Sequence, residues 1–512
     1  MKQTKIVRRL QTLLPHLEAT KSSGEVNCEV AGVTYDSRQL GPGDIFVAIA
    51  GLESDGNRFV AQAAAKGAAA IVSEKMHPDL SIPVIQVRDA RVALARLALA
   101  LYDYPDRTLT LIGTTGTNGK STTAYLSRSI LENAGYRTGL ISTIEYVVGG
   151  QSRPAVRTTP EAPELAAALN QMVKCGQSHA VIEVTSHALA LHRTHGLQFD
   201  CAVFTNFSHE HLDFHQTADA YLQAKTRLFE SLDTEKVAIL NADDPASAFV
   251  RERTEAHVLT FGVVSRDADL RGKLLAGREA DSSKLRLAAG AGVRALIRFP
   301  NAEIEIASHL RGSFNLYNIL AAAAVGWSRD LSPEVIKRGI EAVQSVPGRL
   351  QPVRVSASQP FQVLVDFAHT PEALRQALLA CRAICRAKLC LVFGCGGERD
   401  KGKRSQMGHI AGELADRVIL TTDNPRREDP LSILHQIDAG LPDKNKRKIV
   451  ADRKLAIYEA LMSARAGDLV LIAGKGHETY QEIDGERRPF DDGETAREIL
   501  NELQNESVAT AS

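Results

Sequence analysis

The chain has 512 residues, so at roughly 100 to 200 residues per domain it should fold as about three domains. It carries 61 Lys and Arg against 61 Asp and Glu, which excludes a generally basic nucleic-acid binder and an acidic disordered protein. With 44% hydrophobic and 24% charged residues the composition is globular, and no run approaches the ~18 apolar residues of a membrane span. We therefore expect a soluble protein without nucleic-acid or membrane partners.

The N-terminal segment and the cysteines indicate the compartment. Arg8, Arg9 and His16 interrupt any apolar stretch of a signal peptide, so we expect a cytoplasmic protein. Seven cysteines, an odd number at low density, argue against a disulfide framework. Four of them lie close together in the sequence, and a zinc or iron–sulfur site is the alternative to buried structural cysteines, although they form no CxxC pair. These four are Cys381, Cys385, Cys390 and Cys395.

Breaks in the pattern of glycine, proline and charge predict domain boundaries near residues 107 and 347. After Tyr104-Pro-Asp-Arg107, a strand-like run over 109–113 leads into a glycine-rich loop and then an amphipathic helix from about Lys120. The second boundary falls at Val346-Pro-Gly-Arg349, after an alanine-rich helix and a further helix introduced by Ser332-Pro-Glu. The predicted domains are residues 1–107, 108–346 and 347–512.

In the last third, apolar runs alternate with segments of helical periodicity, such as 371–383, for which Thr370 is the predicted N-cap. This alternation predicts a parallel sheet, and ligands bind beyond the carboxyl ends of such strands. The runs are 363–366, 389–394, 417–423 and 468–474. Polar residues follow these runs, and we expect them to form a site: Asp366, His369, Arg399, Asp423, Asn424, Arg426, Lys475, His477 and Glu478.

Residues 113–122, Gly-Thr-Thr-Gly-Thr-Asn-Gly-Lys-Ser-Thr, carry the strongest chemical signal. A glycine-rich turn between a strand and a helix exposes backbone N–H groups to phosphate, Lys120 can reach the β- and γ-phosphates, and the Ser121 hydroxyl can meet Mg²⁺. The pattern GxxxxGK[ST] is not strictly met, because Thr114 stands at its first position. The flanking strand and helix nevertheless favour ATP over a fortuitous Gly-Lys turn.

A phosphate loop needs a carboxylate for its metal, and the apolar run 180–186 places Glu183 near a strand end. The alternative for Glu183 is an ordinary strand-end carboxylate. Residues 206–215 also contain His209, His211 and His215, which on their own are compatible with zinc. Neither a cysteine nor an HExxH motif accompanies them, so magnesium beside a triphosphate is the favoured interpretation.

Seven segments, taken together and in order, resemble the Mur ligases, the ATP-dependent amide-forming enzymes of peptidoglycan precursor synthesis. The segments are Gly116–Ser121, the strand of Glu183, Ser208–His215, Tyr221–Phe229, Phe314–Asn318, Pro347–Arg349 and Asp366–Pro371. The resemblance implies an α/β protein of three domains. These are an N-terminal uridine-nucleotide-binding domain, a central P-loop ATPase domain with a mainly parallel sheet, and a C-terminal Rossmann-like domain for the incoming amino acid.

The resemblance also implies the nucleotide and metal sites. The residues implied for ATP are Gly116, Thr117, Asn118, Gly119, Lys120, Ser121, Thr122, Asn318, Arg349 and Asp366. The residues implied for Mg²⁺ are Ser121, Glu183, His211 and Lys225, the last as a carbamate (N6-carboxylysine). Lys120, Glu183, His211 and Lys225 would be catalytic. Without the resemblance, Lys225 would be interpreted as a lysine on a helix surface. Because Arg349 and Asp366 lie beyond the second boundary, domain closure would complete the site.

For the sugar nucleotide, the resemblance implies contacts from two regions of the chain. The residues are Tyr35, Ser37, Thr158, Thr159, Thr185 and Arg193. Three positions depart from the pattern that we associate with these enzymes. Leu52-Glu-Ser54 replaces a His-Gln-Ala-like triplet, Leu191 stands where glutamine is frequent, and Thr185 replaces serine but keeps the hydroxyl.

Within the family, three C-terminal segments resemble the members that add meso-2,6-diaminopimelate to UDP-N-acetylmuramoyl-L-alanyl-D-glutamate. The segments are Gly396–Arg404, Asp423–Arg426 and Gly474–Glu478. Diaminopimelate differs from lysine by a second carboxylate, which an arginine can hold through paired hydrogen bonds. The implied residues are Arg399, Asp423, Asn424, Pro425, Arg426, Gly474 and Glu478. The alternative is a β-turn at Asn424-Pro425 with a solvated arginine.

The mechanism implied is that the D-glutamyl γ-carboxylate attacks ATP to give an acyl phosphate, which the amine of diaminopimelate then converts to an amide. The family also suggests a monomer. Two other functions remain open at this point. A folylpolyglutamate synthase-like ligase should lack both the N-terminal domain around Asp36-Ser-Arg38 and the Asp423–Arg426 segment. A nucleotide-gated switch would hydrolyse ATP without depending on an amino acid.

Overall fold

The computed structural model of the protein describes residues 7–51, 54–208, 210–275 and 292–511. The sequence predictions on His209 and on Leu52-Glu53 lie outside these residues. Over the described ranges, no helix combines the length and apolar character needed to cross a membrane.

The N-terminal sheet is built from short, mostly buried parallel strands. Its strands and helices are β1 (Arg8–Arg9), β2 (Lys21–Ser23), β3 (Glu29–Val30), β4 (Gly32–Thr34), β5 (Asp44–Ala48), β6 (Ala70–Ser73), β7 (Val84–Gln86), α1 (Leu10–Leu13), α2 (Val60–Ala65) and α3 (Ala90–Leu101). The sheet order is β2-β7-β6-β5-β4, parallel except for β2, while β1 pairs with β3. The apolar runs of β5 and β6 are typical of strands covered on both faces.

The central sheet is parallel in its middle and antiparallel at both edges. The first half comprises β8 (Thr110–Thr115), β9 (Thr138–Ile141), β10 (Glu145–Val148), β11 (Gln151–Pro154), β12 (His179–Glu183), α4 (Lys120–Asn133), α5 (Ala162–Lys174) and α6 (Ser186–Ala190). The second comprises β13 (Cys201–Phe204), β14 (Val237–Asn241), β15 (His257–Gly262), β16 (Leu270–Leu274), β17 (Arg294–Arg298), β18 (Glu303–Ala307), α7 (Leu212–His215), α8 (Ala218–Glu230), α9 (Ala246–Arg251), α10 (Asn315–Trp327) and α11 (Pro333–Ala342). Over the described residues the order is β11-β10-β9-β12-β8-β13-β14-β15-β16-β17-β18.

The C-terminal sheet is parallel apart from its first strand. Its elements are β19 (Gln351–Pro352), β20 (Gln362–Asp366), β21 (Leu389–Phe393), β22 (Arg417–Leu420), β23 (Arg447–Ile449), β24 (Leu469–Ala473), α12 (Pro371–Ile384), α13 (Gly402–Leu414), α14 (Pro430–Asp438), α15 (Arg453–Met462) and α16 (Asp492–Ala511). The order is β19-β20-β24-β21-β22-β23. A separate hairpin joins β25 (Tyr480–Ile483) to β26 (Glu486–Pro489).

The α/β fold with mainly parallel sheets agrees with the sequence prediction. Helix α4 begins at Lys120 as expected, and the Thr370 hydroxyl accepts a hydrogen bond from the N–H of Ala373, which confirms this residue as the N-cap of α12. Ser332 precedes α11 as predicted, but its side chain makes no capping bond. The first residue of α11 is nevertheless Pro333, which suits the fixed φ of proline.

The clustered cysteines lie within or beside the C-terminal core. Cys381, Cys390 and Cys395 are buried, whereas Cys385 is half-buried, and all four thiols are free. Burial raises the pKa of the Cys390 and Cys395 thiols to about 12, which favours the unreactive thiol form. This environment suits structural cysteines.

Candidate active site

The phosphate loop begins two residues later than the strict sequence pattern requires. Thr114 lies inside β8 and is fully buried, so the position that the pattern reserves for glycine is extended strand here. The turn itself begins at Gly116 and ends at Gly119, with φ of 142° and 86°. A β-carbon at Gly116 would lie 1.9 Å from the Thr205 hydroxyl oxygen. The loop is therefore held between β8 and the residues after β13 in a conformation that favours glycine.

Glu183 connects the loop to a neighbouring strand end. One of its carboxylate oxygens, Oε2, lies 3.1 Å from the hydroxyl of Ser121 and 2.9 Å from that of Thr143. The other, Oε1, accepts the Thr143 backbone N–H at 3.0 Å. The Glu183 side chain is fully buried, so a cluster of oxygen atoms is fixed directly beside the first turn of α4.

Lys120 and Lys225 both donate to the carbonyl oxygen of Gly116, at 3.0 and 2.7 Å. Lys225 belongs to α8 but is 1% exposed, with its ammonium 4.3 Å from the centre of the Tyr221 ring. The interpretation of Lys225 as a helix-surface lysine is therefore wrong. Burial, together with the nearby charge of Lys120, moves the pKa of Lys225 well below its usual value. A neutral amine is accordingly favoured at this position.

His211 lies beside these lysines in a left-handed conformation, with φ of 57°. Burial and the charges of Lys120 and Lys225 lower its pKa to about 4, although Glu210 acts in the opposite direction. A neutral imidazole is the form that can bind a metal ion. The ring also packs on His187, with 4.7 Å between ring centres.

The other residues predicted for ATP reach the same loop from α10 and from beyond residue 347. A β-carbon at Gly119 would lie 2.2 Å from Oδ1 of Asn318, so the two residues are in direct contact. Arg349 donates to the Ser121 hydroxyl at 3.1 Å. Asp366 is buried next to Arg349 and accepts the Leu350 N–H at 2.6 Å. The predicted residues Thr117, Asn118 and Thr122 lie in the loop and the first turn of α4.

The residues predicted for the sugar nucleotide form a cluster beside Glu183. The Thr159 hydroxyl donates to the main-chain oxygen of Glu183 at 2.7 Å and lies 3.4 Å from the Thr185 hydroxyl. Arg193 donates to the Thr159 carbonyl at 3.1 Å, and the Thr158 hydroxyl lies 3.1 Å from that of Thr143. Arg193 is also paired with Glu161 at 2.8 Å, which holds its guanidinium at this cluster.

Tyr35 and Ser37 approach from the N-terminal sheet. The Tyr35 hydroxyl donates to Glu164 on α5 at 3.3 Å, and burial with the Glu164 charge raises the pKa of Tyr35 to about 12. The carbonyl of Ser37 accepts the ammonium of Lys66 at 2.7 Å. Tyr35 thus lies at the contact between the N-terminal and central sheets, whereas Ser37 is bonded within its own sheet region.

The residues predicted for the amino acid meet at the carboxyl ends of β22 and β24. Asn424 donates to Oε2 of Glu478 at 2.8 Å, and a β-carbon at Gly474 would lie 2.5 Å from Oδ2 of Asp423. Pro425 is buried beside Asn424. We refer to these four predicted residues, Asp423, Asn424, Gly474 and Glu478, together with Arg426, as the acceptor pocket.

Arg426 borders the acceptor pocket in a left-handed conformation, with φ of 53°. Its guanidinium donates to the Gly397 carbonyl at 2.5 Å and lies 3.7 Å from the Glu482 carboxylate, and 20% of the side chain is exposed. This arginine is not a solvated turn residue. Arg399 differs, because it is exposed and makes no hydrogen bond within the described residues.

Several residues of the site were not identified from the sequence. Thr143 holds Glu183, and Glu210 lies 3.7 Å from the imidazole of His369. Lys475 is fully buried beside the acceptor pocket. The backbone N–H of Glu482, in the hairpin, donates to Asn424 of that pocket. Thr143 and Glu482 belong to no recognisable motif. Lys475 was among the polar residues that the sequence predicted to form a site, whereas for Glu210 the position inside a quoted motif was the only indication of a role.

Comparisons with known proteins show to which family the chain is similar. Family models match in three places, namely "Mur ligase family, catalytic domain" at residues 29–102, "Mur ligase middle domain" at 114–326 and "Mur ligase, glutamate ligase domain" at 348–476. The UDP-N-acetylmuramoyl-L-alanyl-D-glutamate–2,6-diaminopimelate ligase of Solibacter usitatus is 44% identical over 92% of this chain and 94% of its own.

Solved structures show the same similarity. A structure of a ligase with that same name is 30% identical, has a TM-score of 0.67 and covers 97% of this chain and 99% of its own. The folylpolyglutamate synthase of Mycobacterium tuberculosis is 18% identical, with a TM-score of 0.59 over 74% of this chain and 91% of its own, and so shares the fold. The resemblance inferred from the motifs is confirmed, and the chain belongs to the Mur ligase family.

Proposed function

We propose that this protein is an ATP-dependent ligase that joins meso-2,6-diaminopimelate to UDP-N-acetylmuramoyl-L-alanyl-D-glutamate in peptidoglycan precursor synthesis. Its substrates would be ATP and these two small molecules. Support for the amino acid comes from the name of the Solibacter usitatus relative, which is 44% identical over nearly the whole chain.

The position of Glu183 carries the proposal. Its carboxylate touches the phosphate loop through Ser121, and its main-chain oxygen accepts the Thr159 hydroxyl of the cluster assigned to the sugar nucleotide. A bound triphosphate and the substrate peptide would therefore meet on either side of one residue. A switch protein needs no second substrate site at that point, whereas a ligase that phosphorylates a carboxylate does.

The residues present also fit Mg²⁺. Ser121 and Glu183 offer adjacent, buried oxygen donors 3.1 Å apart, and His211 offers a neutral imidazole. We propose that Ser121 and Glu183 hold one ion and that His211 and carbamylated Lys225 hold another. When bound, Mg²⁺ would neutralise charge on the transferring phosphoryl group.

The first chemical step joins two anions, and the residues of the loop reduce their repulsion. The D-glutamyl γ-carboxylate oxygen attacks the γ-phosphorus of ATP, forming an acyl phosphate and expelling ADP. Lys120 moves from the carbonyls of Gly116 and Thr117 to the phosphates. Asn318 and Arg349 position the nucleotide from α10 and from the C-terminal side.

In the second step, the neutral amine of diaminopimelate attacks the acyl carbon, inorganic phosphate leaves and the nitrogen loses a proton. The acceptor pocket holds the far end of diaminopimelate, so that the reacting amine points towards the central sheet. Arg426 and Arg399 would bind the far carboxylate, and Asp423 and Glu478 the far ammonium. Lysine lacks that carboxylate and would leave Arg426 without its partner.

The proposal includes the organisation of the whole chain. We divide it at residues 107 and 347 into domains for the sugar nucleotide, ATP and the amino acid. Tyr35, Ser37, Thr158, Thr159, Thr185 and Arg193 would bind the sugar nucleotide. The protein would act as a cytoplasmic monomer, and neither nucleic acid nor membrane would be a partner.

Release of phosphate by the purified protein tests this function. The assay contains ATP, Mg²⁺ and UDP-N-acetylmuramoyl-L-alanyl-D-glutamate, with meso-diaminopimelate, L-lysine or no amino acid. We expect release and a tripeptide product with diaminopimelate alone. Release with lysine instead would contradict the specificity, and release without any amino acid would favour the nucleotide-gated switch.

A further inference from the structure

The acceptor pocket contains a lysine whose side chain is entirely buried. Lys475 follows Gly474 at the end of β24, and its ammonium lies 3.2 Å from Oδ1 of Asn424 and 3.2 Å from Oε2 of Glu478. The Tyr480 ring is 5.6 Å away. A fully buried ammonium is costly unless it is paired, so these two oxygens compensate for its desolvation.

Lys475 fixes the orientation of the Asn424 amide. The side-chain atom of Asn424 that faces Lys475 also accepts a hydrogen bond from the backbone N–H of Glu482 at 2.9 Å. Both of these groups can only donate, so the atom between them must be the amide oxygen. The amide nitrogen is therefore directed to Glu478, where it donates at 2.8 Å.

Lys475 also fixes the Glu478 carboxylate through a single oxygen. Oε2 receives both Lys475 and Asn424, whereas Oε1 has no hydrogen-bond partner within the described residues. The side chain is 24% exposed, so this oxygen is accessible. The second hydrogen of the Asn424 amide nitrogen is likewise uncommitted within those residues. The pocket thus keeps one acceptor and one donor, which suits an ammonium beside a carboxylate.

Other contacts hold the framework around this lysine. Gln481 donates to the carbonyls of Thr422 and Asp423 at 3.1 and 2.9 Å, and the N–H of Arg426 donates to the Glu482 carbonyl at 3.0 Å. The hairpin of β25 and β26 is therefore bonded to the same loop that carries Asn424. Among the residues that the structure describes, Lys475 is the one cation that hydrogen-bonds to both Asn424 and Glu478.

We infer that Lys475 is a positioning and specificity-determining residue for the incoming amino acid. Its buried ammonium orients Asn424 and Glu478 so that the pocket presents a donor and an acceptor to a zwitterionic carbon centre. This inference rests on the proposed function, because it concerns the far centre of diaminopimelate. Lysine has an ammonium but no carboxylate at that end, and it uses only half of this arrangement.

The test is a kinetic comparison of the full-length protein with Lys475→Met. Loss of charge-assisted hydrogen bonds should raise the KM for meso-diaminopimelate by roughly 10- to 100-fold, with kcat changed by less than about 5-fold. KM values for ATP and the sugar nucleotide should stay within about 2-fold, since neither contacts this pocket. The preference for diaminopimelate over L-lysine, as the ratio of kcat/KM values, should fall. Lys475→Arg keeps the positive charge, so this variant should lose less of the preference for diaminopimelate.

Lys454→Met is the matched control, because Lys454 is an exposed lysine of the same region, paired with Glu498 at 3.5 Å. It should leave every KM unchanged. If Lys475→Met does not fold, Lys475→Gln removes the charge but keeps a polar side chain, and it should likewise raise the KM for diaminopimelate.

Two outcomes separate failure of this inference from failure of the proposed function. Absence of turnover by the parent protein with diaminopimelate would overturn the proposed function. An active parent, together with Lys475→Met or Lys475→Gln of unchanged KM for diaminopimelate and unchanged preference over lysine, would overturn the role of Lys475 alone.

Discussion

Two lysines share one carbonyl oxygen at the phosphate loop, and this changes the chemistry of both. Lys225 is the more deeply placed, and burial contributes most to its lowered pKa, followed by the charge of Lys120. The pKa of Lys120 is also lowered by burial, but the charges of Glu210 and Glu183 counteract this shift. Of the two lysines, Lys225, whose pKa is moved well below its usual value, is therefore the better suited to react as a neutral amine.

We expect turnover to depend on CO₂ through Lys225. Only a neutral amine adds CO₂, and a pKa moved well below the usual value increases the neutral fraction of Lys225. The kcat should fall in CO₂-depleted buffer and recover with bicarbonate, and the protein with ¹³CO₂ should show a carbamate signal by NMR. Lys225→Arg should show no such signal and no response to bicarbonate. A parent enzyme with equal kcat in both buffers and no signal would contradict the carbamate.

Arg426 should act in the choice of amino acid. Its guanidinium lies between the Gly397 carbonyl and the Glu482 carboxylate, where a second carboxylate can pair with it. Loss of a charged pair should raise the KM for diaminopimelate by about 10- to 100-fold in Arg426→Ala, with less effect on L-lysine use. Arg427→Ala, at the exposed neighbouring arginine, is the control. Equal losses for both amino acids would refute this role.

At the scale of elements, the phosphate loop depends on its packing against α10. Gly119 has φ of 86° and contacts Asn318, so both its conformation and its missing side chain are required. Gly135, after α4, has a similar φ of 92°, but a β-carbon there would meet no atom within 4 Å. A comparison of substitutions at these two glycines therefore distinguishes the effect of backbone strain from that of steric contact.

We therefore expect different results from Gly119→Ala and Gly135→Ala. Gly135→Ala should cost about 1 kcal/mol of stability, because alanine disfavours a left-handed φ, and Gly119→Ala should cost more because its β-carbon also meets Asn318. Only Gly119→Ala should displace Asn318, so kcat/KM for ATP should fall at least about 10-fold, whereas Gly135→Ala should keep it within about 2-fold. Steady-state kinetics and thermal unfolding of both variants check this. Equal ATP kinetics would show that the contact is unimportant.

At the scale of the whole molecule, the reaction site is completed by residues far apart in the chain. Arg349 reaches Ser121, and His369 lies 3.7 Å from Glu210, so the C-terminal region contacts the phosphate loop and its neighbours. On the other side, Tyr35 bonds to Glu164 on the central sheet. Both outer sheets therefore contact the central region, as an enzyme that brings a nucleotide, a sugar nucleotide and an amino acid together requires.

Arg349→Ala should weaken this closure without unfolding the protein. Within the described residues the Arg349 side chain makes one hydrogen bond, to Ser121, so the thermal midpoint should change little. The kcat/KM for ATP should fall by roughly 10- to 100-fold, because a charged contact to the nucleotide site is lost. Arg354→Ala is the control, since within the described part of the chain the Arg354 side chain donates only to the carbonyls of Ser356 and Ala357 in its own loop. ATP kinetics equal to those of Arg354→Ala would contradict a role in closure.

Local sequence determined much of the architecture. The β8 strand, the loop and the start of α4 at Lys120 were predictable because glycine and apolar periodicity act over neighbouring residues. The strands of the last third and the Thr370 cap were predictable for the same reason. The family, and with it the candidate site, could be identified from the motifs because they lie in order along the chain.

The tertiary structure determined the properties of the site that depend on contacts between residues far apart in the chain. Burial of Lys225 depends on the packing of α8 against the phosphate loop, and no local pattern distinguishes it from a surface lysine. Thr143 meets Glu183 only because β9 and β12 are neighbours in the sheet. Lys475 was visible as a charged residue, but the atoms that it orients are 51 residues away and 3 residues away in the chain. Side-chain orientation and pKa depend on such distant partners, and so the chemistry of the site was determined by the fold.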